Sequence, residues 1–288
     1  MGTRVWTVRD ALDWTVAHFE REGVESPRRS AEWLLSAATG LSRVEVYAYH
    51  ERPLSDAERI TLREGVKRRA AGEPLQYVTG EMPFRHIVVR VEPGVFIPRP
   101  ETEVLVDVAL ELIADVEDPV VLEMCSGSGC IACAIATERP DARVVATEIT
   151  PVAVGVARAN AERLGVADRV TVLEGDLFAG VPDELRGEVD LVIANPPYIP
   201  SGDLPALPAE VLGFEPHLAL DGGPDGLDVV RRIAEQAYGW LGPDGVVAME
   251  IDETCAKDAS EGVREWYQEV RTVRDLAGRD RVVVGRRI

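Results

Sequence analysis

The chain has 288 residues, of which 46% are hydrophobic and 28% are charged. These fractions are close to globular averages, so they exclude a disordered tail and favour either one large domain or a large and a small one. No run approaches the ~18 uninterrupted apolar residues of a membrane span, and the first residues lack the basic and apolar regions of a signal peptide. We therefore expect a cytoplasmic protein that has no membrane partner.

The net charge of −19 is concentrated in the second part of the chain. Residues 1–95 carry 14 basic and 14 acidic side chains, whereas residues 96–288 carry 17 basic and 36 acidic ones. Nucleic-acid binding depends on Lys and Arg displacing counterions from phosphates, so this charge disfavours DNA or RNA as a direct substrate.

Three of the four cysteines, Cys125, Cys130 and Cys133, lie close together, but their neighbours are small or apolar and the fourth, Cys255, is distant. We expect them to be packing residues in a reducing compartment, and we expect no metal site.

The first seventy residues are predicted to form short helices with recognisable caps. Apolar residues recur at helical spacing in Val8–Glu22, Ser26-Pro27 is typical of a helix start, and Ser55-Asp56-Ala57-Glu58 is a capping box. A shorter helix is expected over Ser42–Tyr49. Residues 1–73 are thus predicted to be a small helical domain.

From Pro74 onward the apolar pattern changes to a period of two. Short runs over Leu75–Thr79, Arg85–Val91 and Val95–Ile97, with a turn at Glu92-Pro93-Gly94, predict strands. Residues 74–97 are therefore interpreted as a β-hairpin linker.

Residues 98–288 alternate between apolar strands and helices, which predicts an α/β fold with a parallel, doubly wound sheet. The predicted strands are Val120–Met124, Arg143–Thr147, Val170–Leu173, Asp190–Ala194 and Gly245–Glu250. The predicted helices are Gly129–Thr137, Thr150–Leu164 and Leu227–Leu241. An antiparallel hairpin made of Val270–Leu276 and Arg281–Val284 is expected to close one edge.

A glycine-rich turn, Cys125 to Gly129, follows the first of these strands and leads directly into a helix. Such a turn lets a ligand approach the helix N-terminus, although close packing of strand and helix alone also requires glycine. Glu148 lies at the end of the next strand, where an acid accepts the ribose hydroxyls of an adenosine-type cofactor. It could instead be a solvated strand end. Asp176 and Leu177 follow the third strand, at the edge where an adenine ring could lie.

The most specific signal is Asn195-Pro196-Pro197-Tyr198 at the end of the fourth strand. Two prolines remove two N–H donors, so the carbonyl groups of this loop are left to accept hydrogen bonds from another group. Asn195 adds a side-chain acceptor, and Tyr198 could pack on a flat surface. This combination indicates a target that carries a planar NH₂ group.

The order of glycine-rich loop, ribose acid and Asn-Pro-Pro-Tyr resembles class I S-adenosylmethionine-dependent methyltransferases. Further motifs are similar to the HemK/PrmC family of protein-(glutamine-N5) methyltransferases, over nearly the whole chain. These motifs are Gly72-Glu73-Pro74-Leu75-Gln76-Tyr77, Phe96-Ile97-Pro98-Arg99-Pro100-Glu101-Thr102-Glu103, Phe214-Glu215-Pro216 and Leu276-Ala277-Gly278-Arg279-Asp280-Arg281.

The resemblance implies a mostly parallel, seven-stranded Rossmann-like methyltransferase sheet in residues 98–288. It also implies methyl transfer from S-adenosylmethionine, which leaves S-adenosylhomocysteine, to the glutamine of the Gly-Gly-Gln tripeptide of peptide chain release factors. In the family the N-terminal helical domain contacts that partner. The implied cofactor-binding residues are Glu123, Cys125, Ser126, Gly127, Ser128, Gly129, Glu148, Asp176, Leu177 and Asn195. The implied catalytic residues are Asn195, Pro196, Pro197 and Tyr198.

Three positions depart from the family pattern, which keeps other hypotheses open. Glu123 and Glu148 stand where the family usually has Asp, and Glu250-Ile251-Asp252 replaces a run that normally contains glycine. One alternative is a relative that methylates a different planar or amine nitrogen, in a small metabolite or another protein. A nicotinamide-dependent oxidoreductase would also use the loop and the acid but would leave Asn195 to Tyr198 without a role. A binding protein that has lost catalysis is the third alternative.

Overall fold

The computed structural model describes residues 5–287, which divide into two compact units. The first unit runs to Glu81 and also includes Pro208–Phe214, and the second comprises Met82–Leu207 and the chain from Glu215 onward. Within the described residues no helix combines the length and the apolar character that crossing a bilayer requires.

The first unit is helical, as its capped sequence pattern predicts. Its helices are α1 (Val8–Glu22), α2 (Pro27–Thr39), α3 (Arg43–Ala48), α4 (Asp56–Ala70) and α5 (Leu75–Thr79), together with the later α9 (Ala209–Phe214). Reciprocal capping boxes begin three of them, at Thr7, Ser42 and Ser55. Ser26 and Pro27 start α2 as predicted, although the Ser26 backbone is left-handed, with φ of 50°, and its side chain makes no cap hydrogen bond. Buried apolar side chains such as Phe19 hold the helices together.

The strand predicted over Leu75–Thr79 was wrong, since these residues form α5. Pro74 precedes this helix and Gly80, in the left-handed conformation, ends it. Five residues are too few to distinguish a period of two from one of 3.6, and packing of Leu75 and Val78 on the helical core decides the outcome.

A hairpin is present, but only its second strand falls within a predicted strand, Arg85–Val91, and its first strand lies where none was predicted. Strand β1 (Glu81–Phe84) pairs with β2 (Ile87–Arg90), and Arg85 turns between them with φ of 51°. The strand predicted over Val95–Ile97 was also wrong, because this segment does not belong to any of the strands in the described part of the chain.

The second unit is built on a seven-stranded sheet in the order β5-β4-β3-β6-β7-β9-β8. Its strands are β3 (Val120–Met124), β4 (Arg143–Glu148), β5 (Val170–Glu174), β6 (Val189–Ala194), β7 (Leu241–Glu250), β8 (Gln268–Arg274) and β9 (Asp280–Arg286). The first five of these run parallel, whereas β9 pairs antiparallel with both β7 and β8. The predicted doubly wound sheet with a hairpin at its edge is thus confirmed.

Five helices pack against the strands of the sheet. They are α6 (Thr102–Leu112), α7 (Cys130–Glu138), α8 (Pro151–Arg163), α10 (Asp228–Ala237) and α11 (Ala256–Arg264). The sequence patterns did not predict α6 or α11. The chain winds outward in opposite directions from the central pair β3 and β6, so the carboxyl ends of these two strands border the crevice where such sheets bind ligands.

Candidate functional site

The loop after β3 has the backbone geometry of a ligand cradle. Cys125, Gly127 and Gly129 all have positive φ, of 58°, 53° and 74°. At Gly129 a side chain would also meet Ala157, because an added Cβ would lie 2.9 Å from the Ala157 Cβ. Gly129 therefore lets the start of α7 lie directly against α8, which aims the N-terminus of α7 at the crevice.

Two serine hydroxyls in this loop are left for a ligand. The Oγ atoms of Ser126 and Ser128 are buried and have no hydrogen-bond partner among the described residues. A buried hydroxyl without a partner is costly, so a polar ligand in the cradle would relieve that cost.

Glu123 supports the loop from beneath rather than from the surface. It is fully buried, and its Oε2 accepts a hydrogen bond from the backbone N of Ala132 at 3.1 Å, in the first turn of α7. Burial raises the pKa of Glu123 well above its usual range. Its position opposite the N-terminus of α7 provides the cap that Gly129, which has no side chain, cannot supply.

Glu148 ties the loop to the end of β4. One carboxylate oxygen accepts a hydrogen bond from the Gly127 backbone N at 2.9 Å, and the other accepts from the backbone N and hydroxyl of Thr150, at 2.9 and 3.0 Å. Each carboxylate oxygen has more than one acceptor site, so these bonds leave room for ribose hydroxyls. The Thr150 hydroxyl donates to Glu148 and makes no cap hydrogen bond at the start of α8.

Asp176 and Leu177 lie just beyond the carboxyl end of β5. Asp176 pairs with Arg232 at 2.7 Å, and Leu177 is buried with a positive φ of 52°. The next residue, Phe178, stacks on Trp240. This side of the crevice is thus a rigid, largely apolar wall that ends in an ion pair.

Asn195 and Tyr198 are both anchored by hydrogen bonds to other segments. The Asn195 Nδ2 donates to the Thr102 hydroxyl at 3.1 Å, and the Tyr198 hydroxyl donates to Glu250 Oε1 at 3.3 Å. Pro196 is buried, whereas Asn195 and Tyr198 are partly exposed. Gly226 packs beneath the Tyr198 carbonyl, where an added Cβ would approach the carbonyl oxygen to 2.3 Å.

Glu250 is a buried carboxylate that the predicted site did not include. Desolvation raises its pKa to about 7, while hydrogen bonding from Thr102 and Tyr198 and the positive charge of Arg281 offset part of the rise. Its Oε2 has no hydrogen-bond partner among residues 5–287. The sequence could have indicated Glu250 as a site residue, because it is an acid at the end of the strand that follows β6 in the sheet. Thr102 and Arg281 lie within the family-like motifs, but the sequence predicted no role for either residue.

Two of the family-like motifs meet at an ion pair. Arg99 contacts Glu215 at 2.5 Å, and the Glu215 side chain is only 2% exposed. The second carboxylate oxygen of Glu215 accepts from the backbone N of Ile97 at 3.4 Å, and the Arg99 guanidinium lies over the Phe96 ring. This pair therefore joins the chain before α6 to the chain after α9.

The residues present fit a nucleoside-containing cofactor. The cradle combines left-handed backbone at three positions, two unpartnered serine hydroxyls and an acid at the adjacent strand end. Among the described residues, no cluster of side chains that could hold a metal ion is found.

Comparison with known proteins gives matches over both units. The family described as PrmC N-terminal domain matches residues 10–80, and the family described as methyltransferase small domain matches residues 87–205. Release factor glutamine methyltransferases from Geobacter sulfurreducens and Moorella thermoacetica are each 44% identical to the chain. The first match covers 98% of this chain and 97% of the relative, and the second covers 96% of each.

Solved structures share the fold at lower sequence identity. The hMettl16 catalytic domain in complex with MAT2A 3′UTR hairpin 6 aligns with a TM-score of 0.56 and 15% identity, over 82% of this chain and 84% of that one. The T. thermophilus 16S rRNA N2 G1207 methyltransferase in complex with AdoMet and guanosine aligns with a TM-score of 0.55 and 19% identity, over 72% of this chain and 50% of that one.

Proposed function

Because the chain belongs to the release factor glutamine methyltransferase family and is an S-adenosylmethionine-dependent methyltransferase, we propose a peptide chain release factor as its substrate. The acceptor is the side-chain amide nitrogen of the glutamine in the Gly-Gly-Gln tripeptide. The observation that supports this acceptor most directly is the anchored amide of Asn195. With its nitrogen donating to Thr102, its oxygen is left to accept a hydrogen bond from an incoming amide.

Methyl transfer to an amide depends more on orienting the amide nitrogen than on removing its proton. An amide nitrogen is a poor nucleophile because its lone pair is delocalised into the carbonyl group. Asn195 Oδ1 and the Pro196 carbonyl each accept one amide hydrogen, which aims the nitrogen and stabilises its growing positive charge. Pro197 stiffens the loop, and Tyr198 lines the pocket on the acceptor side. The proton can leave after transfer, so no general base is assigned.

S-adenosylmethionine, when bound, supplies a methyl group already activated by a positively charged sulfur. Cys125 to Gly129 hold its methionine and ribose parts, with the Ser126 and Ser128 hydroxyls as donors. Glu148 accepts the ribose hydroxyls, and Asp176 and Leu177 border the adenine. Glu123 acts through the loop, since its carboxylate is buried against α7.

The two parts of the chain have different roles in this proposal. Residues 1–73 contact the release factor, residues 74–97 link the parts, and residues 98–288 carry out methyl transfer. Nucleic acid is not a direct substrate, because the acidic side chains of residues 96–288 repel a polyphosphate.

The test is methyl transfer to a purified release factor, with the product mapped by mass spectrometry. We expect one methyl group on the glutamine of Gly-Gly-Gln and none when that glutamine is replaced by Ala. A wild-type protein that binds S-adenosylmethionine but leaves the glutamine unmodified would contradict the proposed acceptor. Transfer to another protein or a small molecule under those conditions would favour a different planar or amine nitrogen.

A further inference from the structure

Asn160, a side chain of α8, is a fully buried amide whose hydrogen bonds reach two other segments. Its Oδ1 accepts from the backbone N of Arg90 at 2.7 Å, and its Nδ2 donates to the carbonyl oxygens of Arg90 and Ser128, at 3.0 and 2.9 Å. A backbone N–H can only donate and a carbonyl can only accept, so these partners fix the orientation of the amide. Asn160 therefore joins strand β2 to the cradle loop, Cys125 to Gly129.

The bond to Ser128 completes the restraint of one peptide unit in the cradle loop. The Ser128 carbonyl accepts from Asn160, and the N–H of the same peptide unit, which belongs to Gly129, donates to the Ser126 carbonyl at 2.7 Å. The unit is thus held at both ends. Because it directly precedes Cys130, the first residue of α7, its orientation determines the direction of the free N–H groups at the start of that helix.

One face of α8 brings the cradle loop and β2 together. Ala157 and Asn160 are three positions apart on α8, so they lie on the same side of the helix. Gly129 allows the close approach, since an added Cβ would lie 2.9 Å from the Ala157 Cβ. Three positions beyond Asn160, Arg163 donates to the Val88 carbonyl, which adds a second hydrogen bond between α8 and β2.

We propose that Asn160 is a positioning residue for the cofactor, which fixes the cradle loop from the side of α8 and couples its geometry to strand β2. With the amide in place, the loop is already in the form that receives S-adenosylmethionine, so binding does not have to order it. Without the amide, the Ser128 carbonyl loses its buried partner and the loop samples conformations that cannot bind. The effect on affinity rests on the proposed role of the cradle loop, whereas the bonds to β2 do not.

Asn160→Leu tests the positioning role, because leucine is of similar size and cannot bond to any of the three backbone groups. Calorimetric titration should show S-adenosylhomocysteine binding on the order of tenfold weaker, since only a fraction of the protein then holds the competent loop conformation. The KM for the methyl acceptor should stay at the wild-type value. The matched control is Val156→Ala, which removes buried volume from the same helix where it packs with Val95 and Ala153. It should lose stability and keep its cofactor affinity, and equal affinities in the two variants would overturn the proposal.

Hydrogen exchange in the wild type tests the link to β2 and decides it even if Asn160→Leu does not fold. The chain contains only two asparagines, so selective ¹⁵N labelling resolves the side-chain NH₂ group of Asn160, and Asn195→Asp assigns it by removing the other signal. With free S-adenosylhomocysteine at about ten times its Kd, the Asn160 NH₂ group and the Arg90 backbone N–H should exchange about tenfold more slowly. Helix α11 should keep its exchange rate, since it packs on β8, β9 and α10. Unchanged exchange at Asn160 and Arg90, or equal slowing in α11, would contradict the coupling.

Gly127→Val separates a failure of this proposal from a failure of the proposed function. The substitution adds a branched side chain within the cradle loop itself, at a φ of 53° that such residues rarely adopt. It should weaken binding of S-adenosylhomocysteine whether or not Asn160 positions the loop. If Gly127→Val weakens binding and Asn160→Leu does not, only the role of Asn160 is overturned. If neither variant changes the affinity, the cradle loop does not hold the cofactor and both proposals fail.

Discussion

Glu250 is a single residue whose burial affects both the stability of the fold and the properties of the candidate site. Its carboxylate is wholly buried, and burial raises its pKa to about 7. Keeping a charge in this position costs free energy, so we expect Glu250 to have a functional role in the site.

Glu250 should lower the free energy of unfolding as the pH rises. The folded protein holds the Glu250 proton up to a pH of about 7, whereas the unfolded chain releases it near its ordinary pKa of 4.5. The unfolded state therefore binds fewer protons between these values, and stability falls across this window by at most about 3 kcal/mol. Glu250→Gln should reduce this fall in thermal unfolding measured from pH 4.5 to 8.

The control for this measurement is Glu253→Gln, which changes an exposed carboxylate close by. It should leave the pH dependence of the melting temperature as in the wild type. If Glu250→Gln shows the same pH dependence as the wild type, the raised pKa of Glu250 is contradicted.

Single residues also show the limits of prediction from the sequence. Asn195 to Tyr198 are adjacent in the chain, so their pattern can be read directly. Thr102 is separated from Asn195 by 93 positions, and no local pattern indicates that α6 starts beside β6. The burial of Glu123 could not be predicted either, since the sequence does not show whether an acid before a glycine-rich loop faces a ligand or a helix.

Among the secondary-structure elements, the carboxyl ends of the parallel strands determine where the candidate site lies, and glycines let the loops there approach one another. Strand and helix alternation predicted β3 to β7 well, because buried parallel strands form continuous apolar runs. It failed for α5, which has five residues, and it gave no prediction for α6 and α11. Packing onto the sheet and onto neighbouring helices, rather than a marked local pattern, determines these elements.

Gly226→Ala should impair methyl transfer beyond its effect on stability. The substitution places a Cβ 2.3 Å from the Tyr198 carbonyl oxygen, at a backbone φ of 77°. The left-handed backbone alone costs about 1–2 kcal/mol for a residue with a side chain, and the clash displaces Tyr198. We expect lower stability and a drop in kcat/KM of about tenfold or more, since small misplacements at reacting groups are costly.

Gly187→Ala is the matched control, because Gly187 has the same φ of 77° but nothing within 4 Å of the added Cβ. It should lose similar stability and keep its kcat/KM. Equal activity losses in the two variants would show that backbone strain, not the position of Tyr198, limits the reaction.

The ion pair of Arg99 and Glu215 should be a strong determinant of stability. Removing Arg99 leaves a carboxylate that is only 2% exposed without its charged partner. Breaking a buried pair from one side costs about 3–5 kcal/mol, and the partial exposure of Arg99 places this case near the lower value. Urea unfolding of Arg99→Ala should show this loss. The double variant Arg99→Ala with Glu215→Gln should recover much of it, and a loss below about 1 kcal/mol in the single variant would contradict the pair's role.

At the scale of the whole molecule, the charge distribution limits the partners. The chain carries −19 overall, and residues 96–288 hold the entire excess of acidic side chains. RNA and DNA should therefore fail to compete with a release factor for methyl transfer at physiological ionic strength. The check is an inhibition assay with duplex DNA and single-stranded RNA over a range of salt concentrations. Inhibition that weakens steeply as salt rises would reveal a basic binding surface and contradict this expectation.

We expect the loop after β3 to hold the cofactor while Asn195 orients the acceptor. Calorimetric titration of S-adenosylmethionine and S-adenosylhomocysteine into the wild type and Asn195→Ala, paired with methyl transfer to a release factor, tests it most directly. We predict binding in both proteins within about tenfold, and a loss of transfer in Asn195→Ala of about 100-fold or more, as when a stabilising polar group is removed from an active site. Absence of cofactor binding by the wild type would contradict the role of the loop, and undiminished transfer by Asn195→Ala would contradict the role of Asn195.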